Sequence, residues 1–131
     1  MDRQRILLLE DDTALENVLC DLFGEEDLDV TLCGSLAALQ AAVDQYPRAA
    51  VVSDSWERGD YQTLSLKHRA EIVALSRTAE VVLTSGRSWV AHSTTGELGG
   101  AQIVLKPFDV DFLMTTIRTA LARSYIGTGR R

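Results

Sequence analysis

Apolar residues along this chain come in two rhythms that alternate from one end to the other. Short continuous runs at 5–10, 30–33, 49–53, 80–85 and 102–106 read as strands buried on both faces. Between them, apolar residues recur three and four apart, the spacing of one helix face. Residues 13–23 carry Leu15, Val18, Leu19 and Leu22 on such a stripe, with Gly24 placed to stop the helix. Ser35 is a natural N-cap for a second helix bearing Leu36, Leu39 and Val43, which stops before Pro47. A third helix is expected over 63–76, with Leu64, Leu66, Ile72, Val73 and Leu75 apolar. The stretch 88–98 has only Trp89, Val90 and Leu98 on a ragged face and predicts a short fourth helix. Residues 110–123 carry Phe112, Leu113, Ile117 and Leu121 and predict a fifth, while 124–131 read as a frayed tail.

Strands and helices in strict alternation, with continuous apolar strands, predict a parallel sheet covered by helices on both faces. Five such units in 131 residues make one α/β domain, a doubly wound sheet with a core over about 4–123. In folds of this kind ligands sit beyond the carboxyl ends of the strands, where the strand order reverses. No internal repeat, low-complexity segment or linker interrupts the pattern.

Composition narrows the choice of partners. At 46% hydrophobic and 24% charged the chain is an ordinary globular one, and its net charge of −6 speaks against direct nucleic-acid binding, which wants a basic face. Cys20 and Cys33 lack the spacing of a metal or redox pair and read as small buried hydrophobes. The opening holds only four consecutive apolar residues, too few for a signal peptide, and no run approaches a membrane span. The chain is therefore read as cytoplasmic.

The carboxyl ends of the strands carry the chemistry. The first ends in Glu10, Asp11 and Asp12, the third in Asp54, the fourth in Thr84 and Ser85, and the fifth in Lys106. If the first and third strands are neighbours, as in a 2-1-3-4-5 order, these acids meet in one shallow pocket with Thr84 and Lys106 on its far side. Two carboxylates about 5 Å apart repel by roughly 3 kcal/mol at an effective dielectric of about 20, so the cluster calls for a cation. Oxygen donors at this density suit Mg²⁺. A metal, a lysine, a hydroxyl and a carboxylate nucleophile point to phosphoryl transfer, with Asp54 as the group that becomes the aspartyl phosphate. Each residue alone has a plainer reading: Asp12 or Thr13 as a helix cap, Asp54 as a turn residue, Lys106-Pro107 as a strand boundary. Their joint occurrence on one rim favours the functional one.

Taken together, "LLLEDD", "VVSD", "VVLTS" and "VLKPF" resemble the receiver domain of two-component response regulators over nearly the whole chain. The separations match as well: 43 residues from Asp11 to Asp54, 30 to Thr84 and 22 more to Lys106. The resemblance implies a flavodoxin-like (βα)5 sandwich and a phosphorylation-dependent signalling switch rather than a conventional enzyme, although receivers assist their own phosphorylation and dephosphorylation. Asp54 would accept a phosphoryl group from a sensor histidine kinase or a histidine phosphotransfer protein. Mg²⁺ would be held by Asp11, Asp54 and the Trp56 backbone carbonyl, with Glu10 acting through water and Asp12 as a further helper. Thr84 would bond the phosphoryl oxygen and move inward, Lys106 would pair with the phosphate, and the Lys106–Pro107 bond would be cis. The fourth helix, fifth strand and fifth helix would form the readout face for a downstream protein target or effector domain, or for a homodimer. The chain would be a stand-alone regulator or a receiver from something longer.

Three departures from the family pattern bear on rate and readout. The loop after Asp54 is Ser55-Trp56-Glu57-Arg58-Gly59-Asp60-Tyr61, where the family often has Met-Pro and a later Asp-Gly. Ile103 stands where a switching Tyr or Phe is common, and Gly86 lacks the polar side chain often found two residues past the Thr. A bulky Trp56 is expected to slow self-dephosphorylation; its alternative is an indole that points to solvent or packs on the loop. Two other functions stay open: a pseudo-receiver that docks partners without phosphorylation, and an aspartate-nucleophile phosphatase, which would want an acid where Trp56 stands. His68 and His92 are expected at the surface, and Trp89 either marks an interaction patch or is half-buried core.

Overall fold

The strands form because their side chains can be buried on both sides at once. Ile6, Leu7 and Leu8 of β1 (Arg5–Leu9) are all buried, and so is every residue of β3 (Ala50–Ser53). The computed structural model describes residues 3–54, 56, 63–86, 88–91 and 93–126. With β2 (Asp29–Leu32), β4 (Glu80–Ser85) and β5 (Gln102–Leu105), these strands make one parallel sheet in the order β2-β1-β3-β4-β5. The expected α/β class and strand order are both present.

Alternation along each strand divides the core in two. Leu7, Leu9, Val51, Val81 and Leu83 face one layer, built by α2 (Leu36–Gln45), α3 (Leu66–Thr78) and α4 (Ser88–Ala91). Ile6, Leu8, Val52, Val82 and Val104 face the other, where α1 (Thr13–Glu25) supplies Leu19 and Phe23, and α5 (Val110–Ile126) supplies Leu113, Ile117 and Leu121. Full burial of a side chain of this size contributes about 1.5–3 kcal/mol, so the doubly covered sheet is the main source of stability. Cys33 is buried in the first layer and Cys20 packs on the second; burial is the main cause raising both thiols above their ordinary pKa.

Helix ends follow capping chemistry more than apolar periodicity. The Asp12 carboxylate accepts the Leu15 N–H at 3.1 Å, and the Ser35 hydroxyl accepts the Ala38 N–H at 3.1 Å. Ser65 accepts the His68 N–H at 3.0 Å, so α3 starts at Leu66 rather than at 63. Helix α1 runs through Gly24, and the left-handed residue that follows it is Asp27, at φ 60°. The expected helix at 88–98 is split into the one-turn α4 and a 3₁₀ turn, Gly96–Leu98. The split follows Thr94, whose hydroxyl caps the Glu97 N–H at 3.2 Å. Gly99 then turns the chain at φ 70°, so close to α3 that a Cβ there would lie 3.1 Å from the Val73 Cα. Helix α5 continues through Ile126 with Ser124 buried, beyond the expected end at 123; residues 127–131 lie outside the described ones.

Candidate functional site

Parallel register delivers the acids to one place. Leu9 pairs with Ser53, and the Asp54 N–H donates to the Leu9 carbonyl at 2.8 Å, so Glu10 and Asp54 emerge side by side where β2 and β3 diverge from β1. On the other side Ser85 pairs with Leu105, and the Lys106 N–H donates to the Ser85 carbonyl at 3.0 Å. The strand ends thus bring Glu10, Asp11, Asp54 and Lys106 together.

Carboxylate oxygens of Glu10, Asp11 and Asp54 lie within 4.8 Å of one another. Lys106 is the cation among them. Its Nζ donates to Glu10 Oε1 at 2.8 Å and lies 3.5 Å from Asp54 Oδ2. The Glu10 side chain is 1% exposed, and its other oxygen accepts the Asp12 N–H at 3.1 Å, so both of its oxygens are engaged. The Asp11 carboxyl is held below its ordinary pKa, first by a hydrogen bond shared with Asp54. A hydrogen bond with Glu10 and the Lys106 charge act in the same direction, against partial desolvation.

All-oxygen donors around surplus negative charge fit a hard divalent ion such as Mg²⁺.

The hydroxyl of Thr84 is buried and donates to the Ser53 carbonyl at 3.4 Å, one residue before Asp54. Asp12 spends its carboxylate on the α1 cap. The Lys106–Pro107 bond is cis. Ile103 packs against the α2–α3–α4 layer, and Trp89 is a buried part of it, which decides between core and surface patch for that residue. A Cβ at Gly86 would meet the Lys106 Cβ at 3.7 Å, an ordinary contact.

Trp56 is anchored on α3 rather than turned to solvent. Its Nε1 donates to Glu71 Oε1 at 3.1 Å, and its ring meets His68 edge to face. His68 corrects the expectation of a surface histidine, since its side chain is 1% exposed. The signal was present: His68, Ile72 and Leu75 are spaced by four and three, which puts His68 on the buried stripe of α3. Nothing in the sequence marked Glu71 as the partner of Trp56. His92 lies outside the described residues.

The fold that carries this site is that of response-regulator receiver domains. StyR, a response regulator, superposes with a TM-score of 0.74 at 15% identity, covering 95% of this chain and 62% of that one. FixJ from B. japonicum gives 0.73 at 22% identity, over 95% and 60%. The signal receiver domain of an HD domain-containing protein from Pseudomonas fluorescens Pf-5 gives 0.69 at 17%, over 95% and 99%. The chain thus spans about three fifths of StyR and FixJ and nearly all of the isolated receiver domain. No family model matches the sequence, and no curated protein does. Among the described residues no helix is long and apolar enough to cross a membrane.

Proposed function

We propose that this chain is a phosphorylation-dependent signalling switch whose acceptor is Asp54. The observation that carries the reading is the juxtaposition, at the reversal point of the sheet, of three carboxylates with Lys106 3.5 Å from Asp54. Asp54 attacks the phosphorus of a phosphohistidine or a small phosphodonor, the P–N or P–O bond to the donor breaks, and the aspartyl phosphate forms. Lys106 sits where it neutralises an incoming phosphoryl oxygen. Asp11, Asp54 and the Trp56 carbonyl would hold Mg²⁺, with Glu10 acting through water, and the ion would supply further charge neutralisation. Thr84 leaves the Ser53 carbonyl to bond the new phosphoryl oxygen. A histidine kinase or phosphotransfer protein is the donor.

The readout surface is α4, β5 and α5. Leu105 and Phe112 are about half exposed there, and a groove of about 600 Å³ runs past Val90, Thr94, Ile103, Pro107, Phe108 and Phe112. Apolar exposure around such a groove supports a protein target, an effector domain or a second copy as the occupant.

Incubation with acetyl phosphate and Mg²⁺, followed by intact mass measurement, tests the reading. A stable single addition that Asp54→Asn abolishes supports the switch. No addition supports the pseudo-receiver, which the Lys106–Glu10 bond and the aliphatic Ile103 favour. Fast release of free phosphate supports the phosphatase, for which the Trp56 side chain offers no general acid.

A further inference from the structure

Three aromatic rings connect the acceptor segment to α4. Trp56, two residues past Asp54, lies with its ring centroid 4.9 Å from that of His68 at an interplanar angle of 84°. His68, in the first turn of α3, lies 5.7 Å from Trp89 at 88°. Both contacts are edge to face, the arrangement that ring quadrupoles favour. The Glu71 carboxylate holds the first indole by its N–H, so the Trp56 ring is tied to α3 while the residue lies two positions along the chain from Asp54.

The far end of this line is poised to move. Trp89 is 4% exposed, yet among the described residues its Nε1 has no hydrogen-bond partner. A buried donor without an acceptor is a local cost that a displaced α4 can relieve. Helix α4 is a single turn of four residues, the shortest α-helix among the described residues.

We propose that Trp56, His68 and Trp89 form the mechanical line by which occupancy of Asp54 is communicated to α4. This rests on Asp54 being the phosphoacceptor. Displacement of the Trp56 backbone when the site fills carries the indole with it, the edge-to-face contacts shift His68, and Trp89 moves with α4 between two packed arrangements.

Trp56 and Trp89 are the chain's two tryptophans, which makes the test direct. In Trp56→Phe the first ring is kept and Trp89 is the sole tryptophan, excited selectively at the red edge of the absorption band; in Trp56→Ala the ring is removed at a partly exposed site. A third variant, Trp56→Phe with His68→Leu, breaks the line at its centre, with circular dichroism checking the fold. Each is treated with acetyl phosphate and Mg²⁺, and the change in Trp89 emission is scaled to the phosphorylated fraction measured by mass on the same sample. The expected result is a clear change in Trp56→Phe and one at least five-fold smaller in the other two. Equal changes in all folded variants, or phosphorylation of Trp56→Phe with no change at all, overturn the line while leaving the phosphoacceptor reading intact. No mass addition in the parent overturns that reading and the line with it.

Discussion

Removing the charge of Asp54 should make the metal-free protein more stable. Asp54 faces the Glu10 and Asp11 carboxylates within 4.8 Å and Lys106 at 3.5 Å. At an effective dielectric of about 20, each repulsion is worth about 3.5 kcal/mol and the attraction about 5 kcal/mol, so the repulsions win by about 2 kcal/mol. Asp11 is exposed, and solvent screening brings the expected gain down to about 1 kcal/mol. For a chain of this length that is a rise of roughly 2–5 °C in Tm. The assay is thermal or urea unfolding of the parent and Asp54→Asn at pH 8 with chelator. Mg²⁺ should then reverse the order: at ten times its Kd it stabilises the parent by about 1.4 kcal/mol, and Asp54→Asn far less. A loss of more than about 1 kcal/mol in Asp54→Asn without metal would refute the electrostatic account. Equal stabilisation of both proteins by Mg²⁺ would refute the assignment of Asp54 as a ligand.

Lys106→Met strands the buried Glu10 carboxylate and should cost about 3 kcal/mol in urea unfolding at pH 7, most of it recovered by adding Glu10→Gln. Two glycines should respond with opposite sign to alanine. Gly99→Ala meets both a left-handed φ and the Val73 backbone at 3.1 Å and should lose more than about 1 kcal/mol, whereas Gly24→Ala, inside α1 with open space around it, should gain about 0.5–1 kcal/mol. Trp56→Asn should shorten the lifetime of the aspartyl phosphate, followed by mass after donor removal; an unchanged or longer lifetime would sink the view that the indole limits access of water.

Strand identity, helix order and sheet order were legible because one physical demand, burial on both faces, writes itself into local residue patterns. The acids were legible for a related reason. A parallel sheet carries every strand terminus to the same rim, so reading only residues 10–12, 54, 84–85 and 106 amounts to reading the site. Helix ends were less legible where two signals competed: Ser65 and Thr94 placed caps inside segments that apolar spacing alone would have kept continuous. Gly24 looked like a stop, but Asp27 takes the left-handed turn.

Contacts that join separate elements within one layer lay beyond the sequence pattern. The Trp56–His68–Trp89 line requires knowing that α3 and α4 cover the same face of the sheet and that Trp56 packs against that layer. A buried histidine is costly unless its ring is packed and its polar edge faced, and here two indoles flank the ring while Glu71 Oε1 lies 3.8 Å from Nδ1. The same carboxylate also holds the Trp56 N–H. Glu71 therefore orients both ends of one contact, and Glu71→Gln, which keeps the acceptor oxygen but removes the charge, should leave the indole in place. Loss of the oxygen in Glu71→Ala should free it, so the two substitutions separate the hydrogen bond from the charge in whatever Trp56 does for the neighbouring acceptor.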